Sequence, residues 1–217
     1  DTLCFDENAN HAGIGRSDLH VGFDVAFGVD AHTSCPFSDW CASVCRIEYQ
    51  AERRKTVVMG QVTIRDFTGD DADWLVRQHR HFYARDEGFD DSFGDLVEDI
   101  IADFLKTHDT TRERGWIAEE NGVPHGSIFC VRLGETRAKL RLFLLTPAAR
   151  GKGLGRQMLS HCMDFARRSG FTEMVLWTHE SHRAACALYA STGWQLLDSK
   201  PVRSFGVELV EQSWRID

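Results

Sequence analysis

Hydrophobic and polar positions divide this chain near residue 60. Ahead of that point the pattern is sparse. Val21, Phe23, Val25, Phe27 and Val29 alternate with small or acidic residues, the period-two signature of a strand. Gly13, Gly15, Gly22 and Gly28 loosen the surroundings, and Glu52-Arg-Arg-Lys55 reads as a solvated connector. From Gln61 the signals sharpen. Val62 and Ile64 predict a strand ending near Asp66. Asp70-Asp71 places acidic residues at a helix start, and Trp74, Leu75, Gln78 and Phe82 follow at helical spacing until Gly88. Ser92 is expected to cap a second helix, with Asp95 three positions behind it. Its stripe is Phe93, Leu96, Val97, Ile100, Ile101, Phe104 and Leu105, with Asp95, Glu98, Asp99 and Asp103 on the other face.

Trp116-Ile-Ala118 opens a strand, and Glu120-Asn121-Gly122 is a hairpin turn. Gly126 to Val131 returns, Leu133-Gly-Glu-Thr-Arg turns again, and Ala138 to Leu145 forms a central strand, so an antiparallel meander is expected. Met174-Val-Leu-Trp177 is continuously apolar, as for a strand covered on both faces. Ser181 to Thr192 predicts a helix with Ala185, Leu188 and Tyr189 towards the inside; Gly193 ends it, and Trp194 to Leu197 is again a strand. Phe205, Val207 and Leu209 alternate in a last strand running towards Trp214. The order β-α-α-β-β-β-α-β-α-β-β predicts an α/β (α+β) sandwich, a mixed and largely antiparallel sheet flanked by helices.

One stretch carries the chemistry. The run Leu140 to Leu145 stops at Thr146-Pro147, where proline cannot donate to a ladder. Arg150-Gly-Lys-Gly-Leu-Gly155 then opens a helix with Leu154, Met158, Leu159, Cys162, Phe165 and Ala166 at helical spacing. Strand, glycine-rich turn and helix N-terminus together make an anion site, because first-turn amides lack intrahelical partners and the dipole favours negative charge. Arg150, Lys152 and Arg156 add positive charge, so a phosphate-bearing ligand is expected. The glycine spacing does not fit a dinucleotide fingerprint, and Lys152 is followed by Gly153 rather than the Ser or Thr of a P-loop.

Composition narrows the function classes. The 217 residues leave room for one domain plus an extension, here divided at residues 1–60 and 61–217. A formal net charge of −8 argues against generic nucleic-acid binding and suits a cationic substrate. No run approaches the length of a membrane span, and no basic-then-apolar run opens the chain, so a cytoplasmic protein without a signal peptide is expected. The seven cysteines are odd in number, and Cys130, Cys162 and Cys186 fall where small buried residues belong. Cys35, Cys41 and Cys45 with His32 lack the close cysteine pairs of zinc sites, so no metal is expected.

Arg-x-x-Gly-x-Gly after a strand, with Pro147 three residues ahead of Arg150, resembles the acyl-CoA signature of the GNAT (GCN5-related) N-acetyltransferases. Ala185-Cys-Ala-Leu-Tyr189-Ala-Ser-Thr-Gly193-Trp194 resembles the family pattern A-x-x-L-Y-x-x-x-G-F, with Trp at the Phe position. The segments His79 to Phe89, Glu113 to Glu119 and Ala138 to Leu142 are similar to the acetyltransferase domain found fused to MarR-type regulators. Residues 1–60 are too short and too unlike a winged helix to supply the DNA-binding half.

The resemblance implies acetyl-CoA as cosubstrate, no metal, and a small-molecule or peptide amine as acceptor. It implies that the central strand splays from the next one and that the pantetheine arm lies in the gap along Leu144, Leu145 and Thr146. The pyrophosphate would rest on amides of Arg150, Gly151, Lys152, Gly153, Leu154 and Gly155, beside Arg156. A backbone amide near Leu144 or Leu145 would receive the developing oxyanion. Tyr189 would lie near the sulfur as general acid, or else be a core tyrosine. His179 would hydrogen-bond the pantetheine amide, or else be merely exposed. Glu119 is the candidate base, with Glu120, His125, His79 and Tyr83 as rivals. The acidic face of the second helix would suit a cationic acceptor. A non-catalytic acyl-CoA sensor is the alternative function, and a homodimer is compatible with the sequence.

Overall fold

The computed structural model describes residues 62–217. The strand expected from Val21 to Val29 and the cysteines at 35, 41 and 45 lie outside the described residues. Within them the elements are β1 (Val62–Asp66), α1 (Ala72–Glu87), α2 (Asp91–Thr107), β2 (Arg114–Glu120), β3 (Val123–Arg132), β4 (Arg137–Leu145), α3 (Leu154–Arg168), β5 (Glu173–His179), α4 (Arg183–Ser191), β6 (Gln195–Ser204) and β7 (Val207–Ile216). The chain order matches the expected one. The strands form one 7-stranded sheet in the order β1-β2-β3-β4-β5-β7-β6. Every pairing is antiparallel except β4 with β5. This is the mixed, mostly antiparallel sheet flanked by helices that the pattern predicts. No helix among the described residues is long and apolar enough to cross a membrane.

Alternation along the central strands sends side chains to two cores. Trp116 and Ala118 of β2 face α3, where Met158, Leu159, Cys162, Phe165 and Ala166 form the buried stripe. Ile117, between them, faces the opposite core of Leu75, Val97, Ile101, Phe104 and Phe129, built by α1 and α2. Gly115 is required on that face, because an added Cβ would come within 2.4 Å of the Phe129 ring. The β2–β3 turn places Asn121 and Gly122 at φ 53° and 77°, the pair of positive values a tight hairpin demands.

Four local expectations need correction. Asp90, not Ser92, caps α2: its carboxylate accepts from the Ser92 amide at 3.1 Å. Either residue type satisfies a cap, so local sequence could not choose. Leu105 turns outward at 42% exposure, because its position falls at the edge of the stripe on the last turn. Trp177 is 44% exposed, and Lys139 lies 4.0 Å above its ring, so β5 is not covered on both faces there. Phe205 belongs to the β6–β7 turn at φ 53°, where Asp90 N donates to its carbonyl at 3.0 Å.

A candidate acyl-CoA cleft

The site begins where β4 and β5 part. They pair at Arg137–Glu173, Ala138–Met174 and Lys139–Val175 and no further. Beyond Lys139, β4 leans on β3 alone, and the register there slips by one residue between Ser127 and Phe129. The extra residue produces a bulge at Leu142, which sits at φ 48°. A side chain in this region costs about 1–2 kcal/mol, so something must hold it. The buried Ser127 hydroxyl does, donating to the Leu142 carbonyl at 2.7 Å. The β5-facing edge of β4 from Leu140 to Leu145 is therefore left without a strand partner.

The same strand runs into the glycine turn. Pro147–Ala149 form a single 3-10 turn, and Gly151 and Gly153 follow at φ 73° and 79°. Gln157 N donates to Gly153 O at 3.2 Å, so the amides ahead of Gln157 in the first turn have no helical partner. At Gly155 an added Cβ would stand 3.3 Å from Leu145 and 3.4 Å from Leu188. Only a bare backbone leaves that approach open.

Between these walls lies a cleft of about 530 Å³. Leu144, Leu145, Arg150, Gly151 and Gly155 line it, as expected from the sequence. Lys152 and Gly153 are exposed on the same turn, while the Leu154 side chain is buried in the α3 core. Arg156 is tethered to Ser191 Oγ at 2.8 Å. Arg150 Nε donates to the Leu145 carbonyl at 3.0 Å, which spends one of the acceptors expected for the pantetheine arm. Thr146 anchors the strand end, its amide bonded to His125 O at 2.8 Å. A slot with an unpaired strand edge, leading to free amides and cations, fits an extended polar arm that ends in phosphates.

Tyr189 sits on α4, 4% exposed, with its ring among Phe143, Trp194 and Trp214. Phe143, Ala185 and Leu188, its neighbours, line the cleft; Tyr189 is one layer behind them. Burial pushes its phenol well above the ordinary value, with smaller upward contributions from Tyr83, Cys186 and Cys162. It therefore stays protonated. His179, at the end of β5, packs its ring against Phe89 and His182 rather than into solvent. Burial first, then His182, lowers its pKa to about 4.

The candidate bases scatter. Glu119 is held by Arg65 Nε at 2.7 Å, in a network where Arg65 also binds Asp71 at 2.7 Å. It does not line the cleft, so the structure does not bring it to Tyr189. Glu120 faces His125 at 3.9 Å. His79 is buried with Nδ1 against Leu75 O at 2.9 Å, and burial lowers its pKa to about 4. Tyr83 does line the cleft, but burial and then Glu87 push its phenol up to about 12. On the acidic face of α2, Asp95 and Glu98 lie 3.0 and 3.9 Å from Arg80, and none of its four acids lines the cleft.

What sequence reading missed is the far end of α1. Glu87 and His182 meet across the cleft, Oε1 to Nε2 at 3.3 Å. Ser181 Oγ donates to Glu87 Oε2 at 2.7 Å, and His182 Nδ1 lies 3.3 Å from Thr178 Oγ1. Burial lowers the His182 pKa and Arg150 lowers it further, while Glu87 opposes both. The imidazole is thus neutral near pH 7. A glutamate at a helix C-terminus carries no local signal of such a role.

The acetyltransferase (GNAT) family model matches residues 72–194. Among curated proteins, the chain is 32% identical over 101 residues to N-acetyltransferase 8 of Rattus norvegicus, covering 44% of this chain and 46% of that protein. It is 33% identical over 104 residues to N-acetyltransferase family 8 member 3 of the same organism, covering 46% and 44%. The aligned region thus spans about half the length of these relatives. Among solved structures, yncA from Salmonella typhimurium with its cofactor acetyl-CoA superposes at TM-score 0.59, 23% identity, over 71% of this chain and 92% of that one. Spermidine N-acetyltransferase from Vibrio cholerae, in complex with CoA and spermine, superposes at 0.57 with 16% identity over 72% and 95%. With a splayed β4–β5 pair, a glycine-rich turn behind it and a family model spanning both, this chain belongs to the acetyltransferase (GNAT) family.

Proposed function

We propose that residues 61–217 form an N-acetyltransferase domain that moves an acetyl group from acetyl-CoA directly to a primary amine, carried by a small molecule or a peptide. The observation that carries this reading is the open edge of β4 from Leu140 to Leu145, leading into the unpartnered amides that start at Gly151. Acetyl-CoA supplies an activated thioester. The chain's own contribution is to bind and orient it. Amides of residues 151 to 155, with Arg150 and Lys152, take the phosphates. The Leu144–Leu145 backbone offers an amide to the carbonyl oxygen as charge develops there. Tyr189, whose ring packs directly behind Phe143 of the cleft wall, is the acid proposed for the departing thiolate; it reaches the sulfur only if its hydroxyl gains the cleft, and its burial opposes release of the proton. His179, whose buried Nδ1 has no partner and which does not line the cleft as it stands, would serve the pantetheine amide only after its ring turns towards it.

The kinship to MarR-fused domains rests on the sequence segments given above, and residues 1–60 are an extension of unassigned role. A thiol-release assay with acetyl-CoA across amines, amino acids and basic peptides tests the proposal. Amine-dependent release is the expected result. Tight CoA binding without release on the whole panel would favour an acyl-CoA sensor instead.

A further inference from the structure

Glu87 borders two cavities at once. It lines the cleft described above, and it also lines a second cavity of about 750 Å³ between the start of α4 and strands β6 and β7. Ser181 and Arg183 are shared by both as well, so the two spaces meet along one ridge. A thioester held beside Leu144 and Leu145 and an amine arriving through the β7 cavity would come together there.

The carboxylate on that ridge is held in one orientation. Ser181 Oγ occupies its Oε2 at 2.7 Å, and His182 Nε2 stands 3.3 Å from Oε1. Because Glu87 offers only acceptors when ionised, Nε2 must carry the ring hydrogen, and Nδ1 then accepts from Thr178 Oγ1 at 3.3 Å. Tyr83 closes on the ring edge-on, with centroids 5.2 Å apart, and fixes its plane. Oε1 is left with one long contact and remaining acceptor capacity. A base needs a free lone pair within reach of the proton it removes, and this oxygen has one.

We propose that Glu87 is the general base of acetyl transfer and that His182 and Ser181 are its positioning residues; the assignment rests on the acetyltransferase reading above. The amine nitrogen bonds to the acetyl carbon, its proton passes to Glu87 Oε1, and the carbon–sulfur bond breaks. The thiolate takes the proton of Tyr189, which is restored from solvent as Glu87 releases its own. Electrons and protons balance without a further reactant. The role falls to a residue 32 positions before Glu119, on a helix rather than a strand.

The test uses the 217-residue chain with acetyl-CoA and the best amine from the thiol-release panel. Glu87→Gln keeps the size and the contacts to Ser181 but cannot take a proton, so kcat should fall by roughly 10²–10³-fold. CoA affinity, read by titration with CoA alone, should stay within about twofold, since the phosphates rest on the 151–155 turn. Glu87→Ala should be equally slow, and added formate should restore part of its kcat by standing in for the carboxylate. If Glu87→Gln does not fold, the formate response of Glu87→Ala decides. A turning wild type whose Glu87→Gln variant keeps its kcat, or a slow Glu87→Ala that formate does not touch, overturns the assignment. Failure of the acetyltransferase reading shows differently, as a wild-type chain that releases no thiol with any amine, and the role of Glu87 then falls with it.

Discussion

The Ser127 hydroxyl donates to the Leu142 carbonyl at 2.7 Å, joining a fully buried side chain to the bulged residue of the neighbouring strand. That bond stabilises the positive φ of Leu142, and the bulge lies on the stretch of β4 that has left β5. Ser127→Ala would leave the half-buried Leu142 carbonyl without its side-chain partner. The expected loss is about 0.5–1.5 kcal/mol in urea unfolding, with weaker CoA binding as the cleft wall relaxes. Unchanged stability and affinity would show that the bulge is held by other means.

Gly155 tests the approach of the strand to the helix. Gly155→Leu places a branched side chain where a Cβ already stands 3.3 Å from Leu145. CoA affinity should drop about tenfold or more, some 1.4 kcal/mol, in a chain that still unfolds cooperatively. Full affinity in the folded variant would remove the cosubstrate from this turn. Gly153 is a less clean site, since its φ of 79° strains any substitution by itself.

Tyr189 separates chemistry from packing. Tyr189→Phe keeps the ring among Phe143, Trp194 and Trp214 and removes the ionisable proton. At saturating acetyl-CoA, kcat should fall roughly 10²-fold with little change in CoA affinity. Wild-type turnover would assign the residue to the core alone.

Burial of His79 makes stability depend on acid. Its pKa falls from 6.5 to about 4 on folding, so the unfolded chain binds the proton first. Stability is complete above pH 6.5 and is lost as pH drops towards 4, by about 3 kcal/mol from this one group. His179, also lowered to about 4, adds to the loss in the same direction. Urea midpoints measured between pH 7 and pH 4 should fall, and His79→Gln should flatten part of that slope. An unaltered slope would place the acid sensitivity elsewhere.

These residues also mark what sequence reading can reach. The α3 stripe from Leu154 to Ala166 was legible because helical spacing and burial coincide there. The 150–155 turn was legible because its glycines are needed for backbone conformation and close approach, which single residues reveal. Leu142 was not, because a bulge among ordinary strand formers depends on register with β3, a property of two strands. Glu87 was hidden for a related reason. Nothing within α1 distinguishes it from a solvated carboxylate; its partners Ser181 and His182 come from the β5–α4 connection, 94 residues away in the case of Ser181. Glu119 looked available at a strand end, and only the fold shows Arg65 already holding it.

The account stands most directly on where the acetyl group goes. Acetyl-CoA carrying an isotopically labelled acetyl carbon, incubated with the chain and an accepted primary amine, can be followed by NMR. The expected result is a labelled amide on the amine, formed in step with free thiol and greatly slowed in Gly155→Leu. Label that stays on the thioester with every amine, or leaves only as acetate, would contradict it.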